Sequence, residues 1–489
     1  MGESQDVYMA LDQGTHSSRA ILFDNNGQSL STHQVPVGIS YPDEISAEQD
    51  ANEILQSLIA CIQLSLSDAK NNEWRIRAAG LATQRSSVVA WNRETNEILS
   101  PVISWQDRRA HEFVETLSEH ASEIRQRTGL PLTPHYGASK IRWLLANREA
   151  VVRCDHEVLG IGPLASFLIA KLTLHPTEKL SRYYVDHTNA LRTQLMNLGN
   201  RDWDTRLKTL FDLPDDVSLP KCVPVLHDYG KLSDTTIPLR VVSGDQTAAM
   251  FGQGAFPKET AMVNLGTGGF VLKPAEPNDQ CDHELLGGLS ISDDQSCQYL
   301  CEGTVNGCGA AMKWAAKRLK VSDDELKNIG HWLSEFSSPP IFVNCVGGVG
   351  SPWWIEKGES YWCDQHGHQI ADNDVNPHVA MVAVVESIVF LIYENLRRMT
   401  RHASVSDLRI SGGLSQLDGA CHRLANLSEC RVTRSSQIEA TASGVAWMAA
   451  GRPAKWQQSG ENTLFVPNAA NGLKYRCDVF LSQLEKMNS

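Results

Sequence analysis

Residues 7–35 read VYMALDQGTHSSRAILFDNNGQSLSTHQV. Apolar residues alternate on both sides of Gly14-Thr15 and again up to Asn25-Asn26-Gly27, which predicts three strands joined by two tight turns. AEQDANEILQSLIACIQLSLSDAK (47–70) follows with apolar residues at helical spacing, and RIRAAGLATQRSSVVAW (75–91) returns to strand. A meander followed by alternating helix and strand implies an α/β fold, with a mixed sheet and helices packed on it.

The second half opens the same way. TAMVNLGTGGFVLKP (260–274) is again strand, Gly-Thr turn, strand, and CQYLCEGTV (297–305) is strand-like. GCGAAMKWAAKRL (307–319) and HVAMVAVVESIVFLIYENLRRM (378–399) are helical, LRISGG (408–413) is a short strand ending in glycines, and EATASGVAWMAAG (439–451) is a small-residue helix. Two Gly-Thr turns in matching positions suggest related halves meeting near residue 250, with a ligand held between them.

A chain of 489 residues exceeds what one hydrophobic core serves, so two or three domains are expected. Apolar residues make up 42% and charged residues 21%, as in soluble globular proteins. The net charge of −13, with no densely basic stretch, argues against nucleic acid and anionic membrane as partners. MGESQDVYMALDQG runs straight into a strand pattern, and no later segment reads as long and apolar enough to span a bilayer, so a cytoplasmic protein without membrane insertion is expected. The 12 cysteines include no CxxC pair, which favours reduced thiols over a disulfide framework or zinc module. CDQHGH (363–368) reads as a polar loop, because no second half of a metal site follows at zinc-like spacing.

Several residues suit phosphoryl chemistry. ALDQGTHSS places Asp12 at a strand end, then Gly14, then the hydroxyls of Thr15, Ser17 and Ser18, with Arg19 next. Phosphate needs close backbone amides and hydroxyls, and its magnesium needs a hard carboxylate oxygen. The second turn offers Gly266, Thr267 and Gly268. In VVSGDQTAAM, Asp245 stands where an apolar strand gives way to a helix, as a helix N-cap, a general base for an alcohol, or both. Trp105 in ISWQDRRA is either core or the wall of a polyol site. Gly412 and Gly413 would let backbone lie against a purine, whereas GGVGS (347–351) lacks the strand, helix and downstream acid of a dinucleotide fingerprint.

Taken in order, these segments resemble the FGGY carbohydrate kinases, and within them the glycerol kinases. LDQGTHSSRAILFD, TQRSSVVAWNRETNEILSPVISWQDRRA, TGLPLTPHYGASKIRWLLAN, VDHTNALRTQLMNLGNRDWD, SGDQTAAMFGQG and NLGTGGF carry the likeness almost unbroken from residue 7 to about 270. The resemblance implies two related domains of the actin, Hsp70 and hexokinase (ribonuclease H-like) type, with ATP and substrate in the cleft and closure on binding. Residues 1–252 would be the N-terminal domain with the polyol site and first phosphate loop, and 253–489 the C-terminal, nucleotide-binding domain. It implies ATP- and Mg²⁺-dependent phosphorylation of a primary hydroxyl, with glycerol to glycerol 3-phosphate as the leading reaction. The alternatives are another small polyol or ketose (tetritol, tetrulose or pentulose), or a non-catalytic ATP-binding regulator. A homodimer or homotetramer is compatible with this reading.

Carried over by the resemblance, Asp245 is the catalytic base, and Arg85, Ser86, Trp105, Tyr136, Asp245, Gln246 and Phe270 line the polyol site. Asp12 acts through magnesium. Gly14, Thr15, His16, Ser17, Arg19, Gly266, Thr267 and Gly268 face the phosphates, while Gly309, Lys313, Gly412 and Gly413 lie along the nucleotide. Four positions depart from the family pattern: His16 replaces a hydroxyl residue, Lys313 a glutamine, Leu417 an asparagine, and Ser86 a glutamate that accepts hydrogen bonds from substrate. Serine still donates and accepts, but it is shorter and uncharged.

Overall fold

Strand formation follows the alternation closely. In the computed structural model, which describes residues 4–174, 182–276, 281, 284–401, 404–435, 439–456, 462–468 and 472–488, strands Asp6–Gln13, Ser17–Asp24 and Ser29–Pro36 form an antiparallel meander. Arg75–Thr83 joins it parallel to Asp6–Gln13, and Leu239–Gly244 adds parallel to Arg75–Thr83, completing a five-stranded mixed sheet. The register sets Gln13 opposite Thr83 and Thr83 opposite Gly244, so three parallel strands end level with one another. Open α/β sheets bind ligands at such carboxyl ends.

Helix Ala51–Asn71 starts where the Asp50 side chain accepts from the amides of Asn52 and Glu53. Its stripe of Ile54, Leu55, Leu58 and Ile62 is buried in one cluster with Met9, Leu22 and Leu81 of the sheet. A smaller sheet, ordered Glu48–Gln49, Val102–Ile103, Val88–Asn92, Leu159–Pro163, carries the loop that leads to Trp105.

The second half repeats the first pattern. Thr260–Leu265 pairs antiparallel with Gly269–Ala275 and parallel with Asp407–Ser411, which pairs parallel with Arg431–Arg434, while Cys297–Val305 lies beside Gly269–Ala275. A central strand with an antiparallel hairpin partner on one side and parallel strands on the other is thus built twice, although in the second half Cys297–Val305, and not the preceding strand Leu286–Ser292, lies beside that partner. Helix Pro377–Met399 fills the core of this half. By length and composition it could cross a bilayer, which corrects the expectation that no segment is long and apolar enough. Its apolar faces are spent on packing, with 89% of its most apolar window buried. Its Glu386 is held by Arg423 and Arg476, and its Glu394 by Arg397 and Arg398.

Two compact units result. The first comprises Met1–Phe256, Gly287–Tyr299 and Glu439–Ser459, and the second Pro257–Leu286, Leu300–Ile438 and Gly460–Ser489. Helix Ala440–Ala449 packs into the first unit so closely that a Cβ on Gly444 would lie 1.9 Å from the Ala248 carbonyl oxygen. The expectation of reduced thiols throughout is also corrected, because Cys281 and Cys301 of the second unit pair as a disulfide with Cα atoms 5.8 Å apart. The other ten cysteines are free. Nothing in the linear spacing marks that pair, which the folding of Cys297–Val305 brings together.

Candidate active site

The first glycine hairpin is closed by the Gly14 amide, which donates to the Ser17 carbonyl at 2.9 Å. Thr15, Ser17 and Arg19 are half-buried and His16 is exposed. Ser18 does not join them. In strand Ser17–Asp24 it shares a side with Ala20 and Leu22, and its buried hydroxyl accepts from Ser57 at 2.7 Å. Ser18 therefore ties the strand to helix Ala51–Asn71 and does not present a donor to phosphate.

Asp12 lies one residue before the strand end, and across Arg75–Thr83 from it is the carboxyl end of Leu239–Gly244, where Asp245 begins a short helix. Gly244 is the cap of that helix and Asp245 its first residue, so the N-cap reading of Asp245 is corrected by one position. The Asp245 carboxylate accepts from the Gln246 amide at 2.7 Å and stands 3.6 Å from Arg85 Nε. The Arg85 side chain crosses directly over Gly244, where a Cβ would meet its Cδ at 2.6 Å. Behind Asp245, the Gly244 amide donates to the Thr188 hydroxyl at 2.8 Å, and that hydroxyl donates to Asp186. Burial pushes Asp186 up to about 6, against the pull of its bonds from Thr188 and Asn189.

Carboxylates crowd this corner. Burial pushes Asp12 up to about 7; Arg19 opposes the rise, while Asp245 and Glu439 add to it. Arg19 is ion-paired with Glu439 and lies 3.9 Å from Asp12. Glu439 was not singled out in the sequence, since it is 420 residues from its partner. Among the described residues, no three His, Cys, Asp or Glu side chains are grouped to hold a metal ion by themselves. The CDQHGH stretch forms a strand end and a turn in which Asp364 accepts from the amides of His366 and His368.

Arg85, Ser86, Trp105 and Tyr136 come together around one wall of the first unit. Trp105 is half-buried, not core, and its indole N–H donates to Thr15 Oγ1 at 3.0 Å, joining this wall to the first glycine hairpin. Trp105 and Tyr136 each meet the ring of His135 edge-on, at 5.7 and 5.1 Å between centroids. Burial, followed by the positive charges of Lys140, Arg192, Arg85 and Arg108, holds His135 well below its usual range, so it is neutral. A buried amide network sits beneath: Gln84 donates to Gln13 and Gln49, Gln49 donates to the Thr15 carbonyl, and Ser87 donates to Gln84 while accepting from the Trp105 amide. Ser86 is 4% exposed, adopts a left-handed φ of 64°, and has no hydrogen-bond partner for its hydroxyl among the described residues.

In the second unit, the Gly266 amide donates to the Gly268 carbonyl at 2.9 Å, closing the second hairpin. Gly266 and Thr267 are exposed, and their carbonyls accept from the amides of Gly309 and Ala310 at the start of helix Gly309–Leu319. Lys313 is exposed one turn along that helix. Gly412, at φ 90°, folds over the strand end, where a Cβ would lie 2.5 Å from the Leu265 carbonyl oxygen. Gly413 has open space beside it. The hairpin, the helix start and the glycine pair therefore gather at the carboxyl end of Thr260–Leu265. Leu417 packs partly against the core, and Phe270 is half-buried at the start of Gly269–Ala275.

Residues 7–252 match the N-terminal domain and residues 261–451 the C-terminal domain of the FGGY family of carbohydrate kinases. The chain belongs to this family. As an FGGY carbohydrate kinase it is a phosphotransferase acting on an alcohol group, and membership implies use of ATP. It is 33% identical over 453 residues to a glycerol kinase of Acinetobacter baylyi, covering 90% of this chain and 89% of that relative. Its fold is that of Plasmodium falciparum glycerol kinase with ADP, with a TM-score of 0.87 at 22% identity, covering 99% of this chain and 98% of that one. A gluconate kinase of Lactobacillus acidophilus shares the fold at a TM-score of 0.84 and 18% identity, covering 99% of both chains.

Proposed function

We propose that this FGGY kinase transfers the terminal phosphoryl group of ATP to a primary hydroxyl of a small polyol, with glycerol as the leading substrate. The observation that carries the reading is the pair Asp12 and Asp245 at the level ends of the two parallel strands that flank Arg75–Thr83, with Arg85 across Gly244 beside Asp245. The similarity to glycerol kinases supports glycerol.

In this reading Asp245 accepts the proton of the attacking hydroxyl and orients its oxygen toward phosphorus. Arg85 and the Gln246 side chain donate to the other hydroxyls, and Trp105 supplies an apolar face. Arg19, released from Glu439, and the turn at Gly14 neutralise and align phosphate oxygens. A loose phosphoryl-transfer transition state asks mainly for that alignment and charge neutralisation. Asp12 fits a divalent cation: its carboxylate is crowded by like charges, and a single protein carboxylate suits Mg²⁺, which keeps waters and phosphate oxygens as its other ligands. Bound there, the ion would neutralise charge on the phosphate oxygens.

Ser86 favours a second reading within the same chemistry. Its buried hydroxyl lacks a partner among the described residues, so a substrate group that reached it, larger than any on glycerol, would have a bond to gain. ADP release measured across glycerol, tetritols, tetruloses and pentuloses separates the two readings. Glycerol with the highest kcat/KM supports the first, and a larger substrate supports the second. Ser86→Glu should raise glycerol turnover relative to the others. Asp245→Asn should lower kcat by about 10²–10⁴-fold. Absence of substrate-dependent ADP release with every compound would reject the function.

A further inference from the structure

We infer that Lys140 is the positioning residue of the polyol wall, one ammonium joining the three backbone segments that carry Ser86, Trp105 and Tyr136. The inference rests on the proposed polyol site. Lys140 lies on helix Gly137–Asn147 with 0% of its surface exposed. Its Nζ donates to the carbonyl oxygens of Ser86 at 3.0 Å, Ser104 at 2.8 Å and His135 at 2.7 Å. An ammonium has three N–H groups, and all three are committed here. Two of the carbonyls belong to the residues immediately before Trp105 and Tyr136, and the third to Ser86 itself.

Packing alone does not explain a charge at this place. A buried ammonium is costly, and a Met or Leu would fill similar volume without that cost. Asp107 is the charge that stabilises the ammonium, although Asp107 is also bonded to Arg109 and the Ala47 amide. Burial pushes Lys140 down to about 7, with Arg109 adding to the fall and Asp107 opposing it. What the ammonium provides, and an apolar chain cannot, is one point to which three carbonyls from distant parts of the sequence converge. Through the Ser86 carbonyl it also holds a residue in the left-handed region, a conformation that serine adopts only when its surroundings impose it.

The test uses Lys140→Met in the full chain, with Lys140→Gln as a milder second variant. Hydrogen–deuterium exchange is read first, over residues 84–88, 103–106 and 134–137, with helix Ala51–Asn71 as the internal reference. Loss of charge-assisted bonds should speed exchange in all three segments together by about tenfold or more in Lys140→Met, and less in Lys140→Gln, with the reference helix unchanged. For the best substrate of the wild type, KM should rise by about tenfold or more while KM for ATP stays within about twofold. Loosening of one segment only, equal rises in both KM values, or failure of both variants to fold would overturn the inference. If the wild type shows no substrate-dependent ADP release, the functional reading falls, and the exchange pattern still decides whether Lys140 holds the three segments.

Discussion

Asp12→Asn should stabilise the first unit while abolishing its use of MgATP. Burial raises the Asp12 carboxyl from the ordinary 3.8 to about 7. The native carboxyl therefore keeps its proton where the unfolded one has lost it. The resulting penalty on folding grows as pH rises above 3.8 and is complete above about 7, the reverse of a salt-bridged carboxylate. At about 1.4 kcal/mol per pH unit, the rise amounts to roughly 4 kcal/mol at pH 8 and roughly 1.5 kcal/mol at pH 5. Asparagine escapes this penalty but gives up the attraction of Arg19 at 3.9 Å, and the side chain retains 14% exposure, so the full figure is an upper bound. A net gain of about 2 kcal/mol at pH 8 would raise the first melting transition by about 4–8 °C in a unit of this size. Scanning calorimetry at pH 8 and pH 5, with and without MgATP, reads this directly. The gap should narrow on acidification, and MgATP should raise the wild-type transition but not that of the variant. A variant that melts below wild type at pH 8, or a gap that does not shrink at pH 5, would refute the reasoning.

Gly244→Ala should leave the fold intact, because φ is −65° there, but its Cβ displaces the Arg85 side chain; steady-state kinetics should show polyol KM raised by about tenfold with KM for ATP little changed. Gly412→Ala combines a left-handed φ of 90° with a backbone clash, so urea unfolding should register a loss of about 2–4 kcal/mol and ATP should bind more weakly. A neutral result would mean that the strand end tolerates a shift the geometry does not allow.

The fold was legible because both glycine hairpins interrupt a clean alternation, and alternation of that kind leaves little choice but a meander. The proposed base was legible as a candidate for a related reason: Asp245 stands where a two-residue period changes to a helical one. Ser18 could have been excluded on the same ground, since the alternation that buries Ala20 and Leu22 buries it too. Lys140 and Glu439 could not be read. Their partners are carbonyls and charges up to 54 and 420 residues away, and neither residue breaks the local pattern around it. The Cys281–Cys301 pair escaped for the same reason, because the tertiary fold and not the spacing brings it together.

Helix Ala440–Ala449 has a consequence for how the protein is made. It belongs to the unit begun by residue 6, and its glycine seat against Ala248 admits no loose substitute. A ribosome delivers the chain from its amino end, and domains ordinarily fold in that order. Here the earliest sheet waits, with one face uncovered, until nearly the whole polypeptide has emerged. Chains halted before residue 440 should therefore be held by chaperones or degraded. The amino-terminal half is finished last.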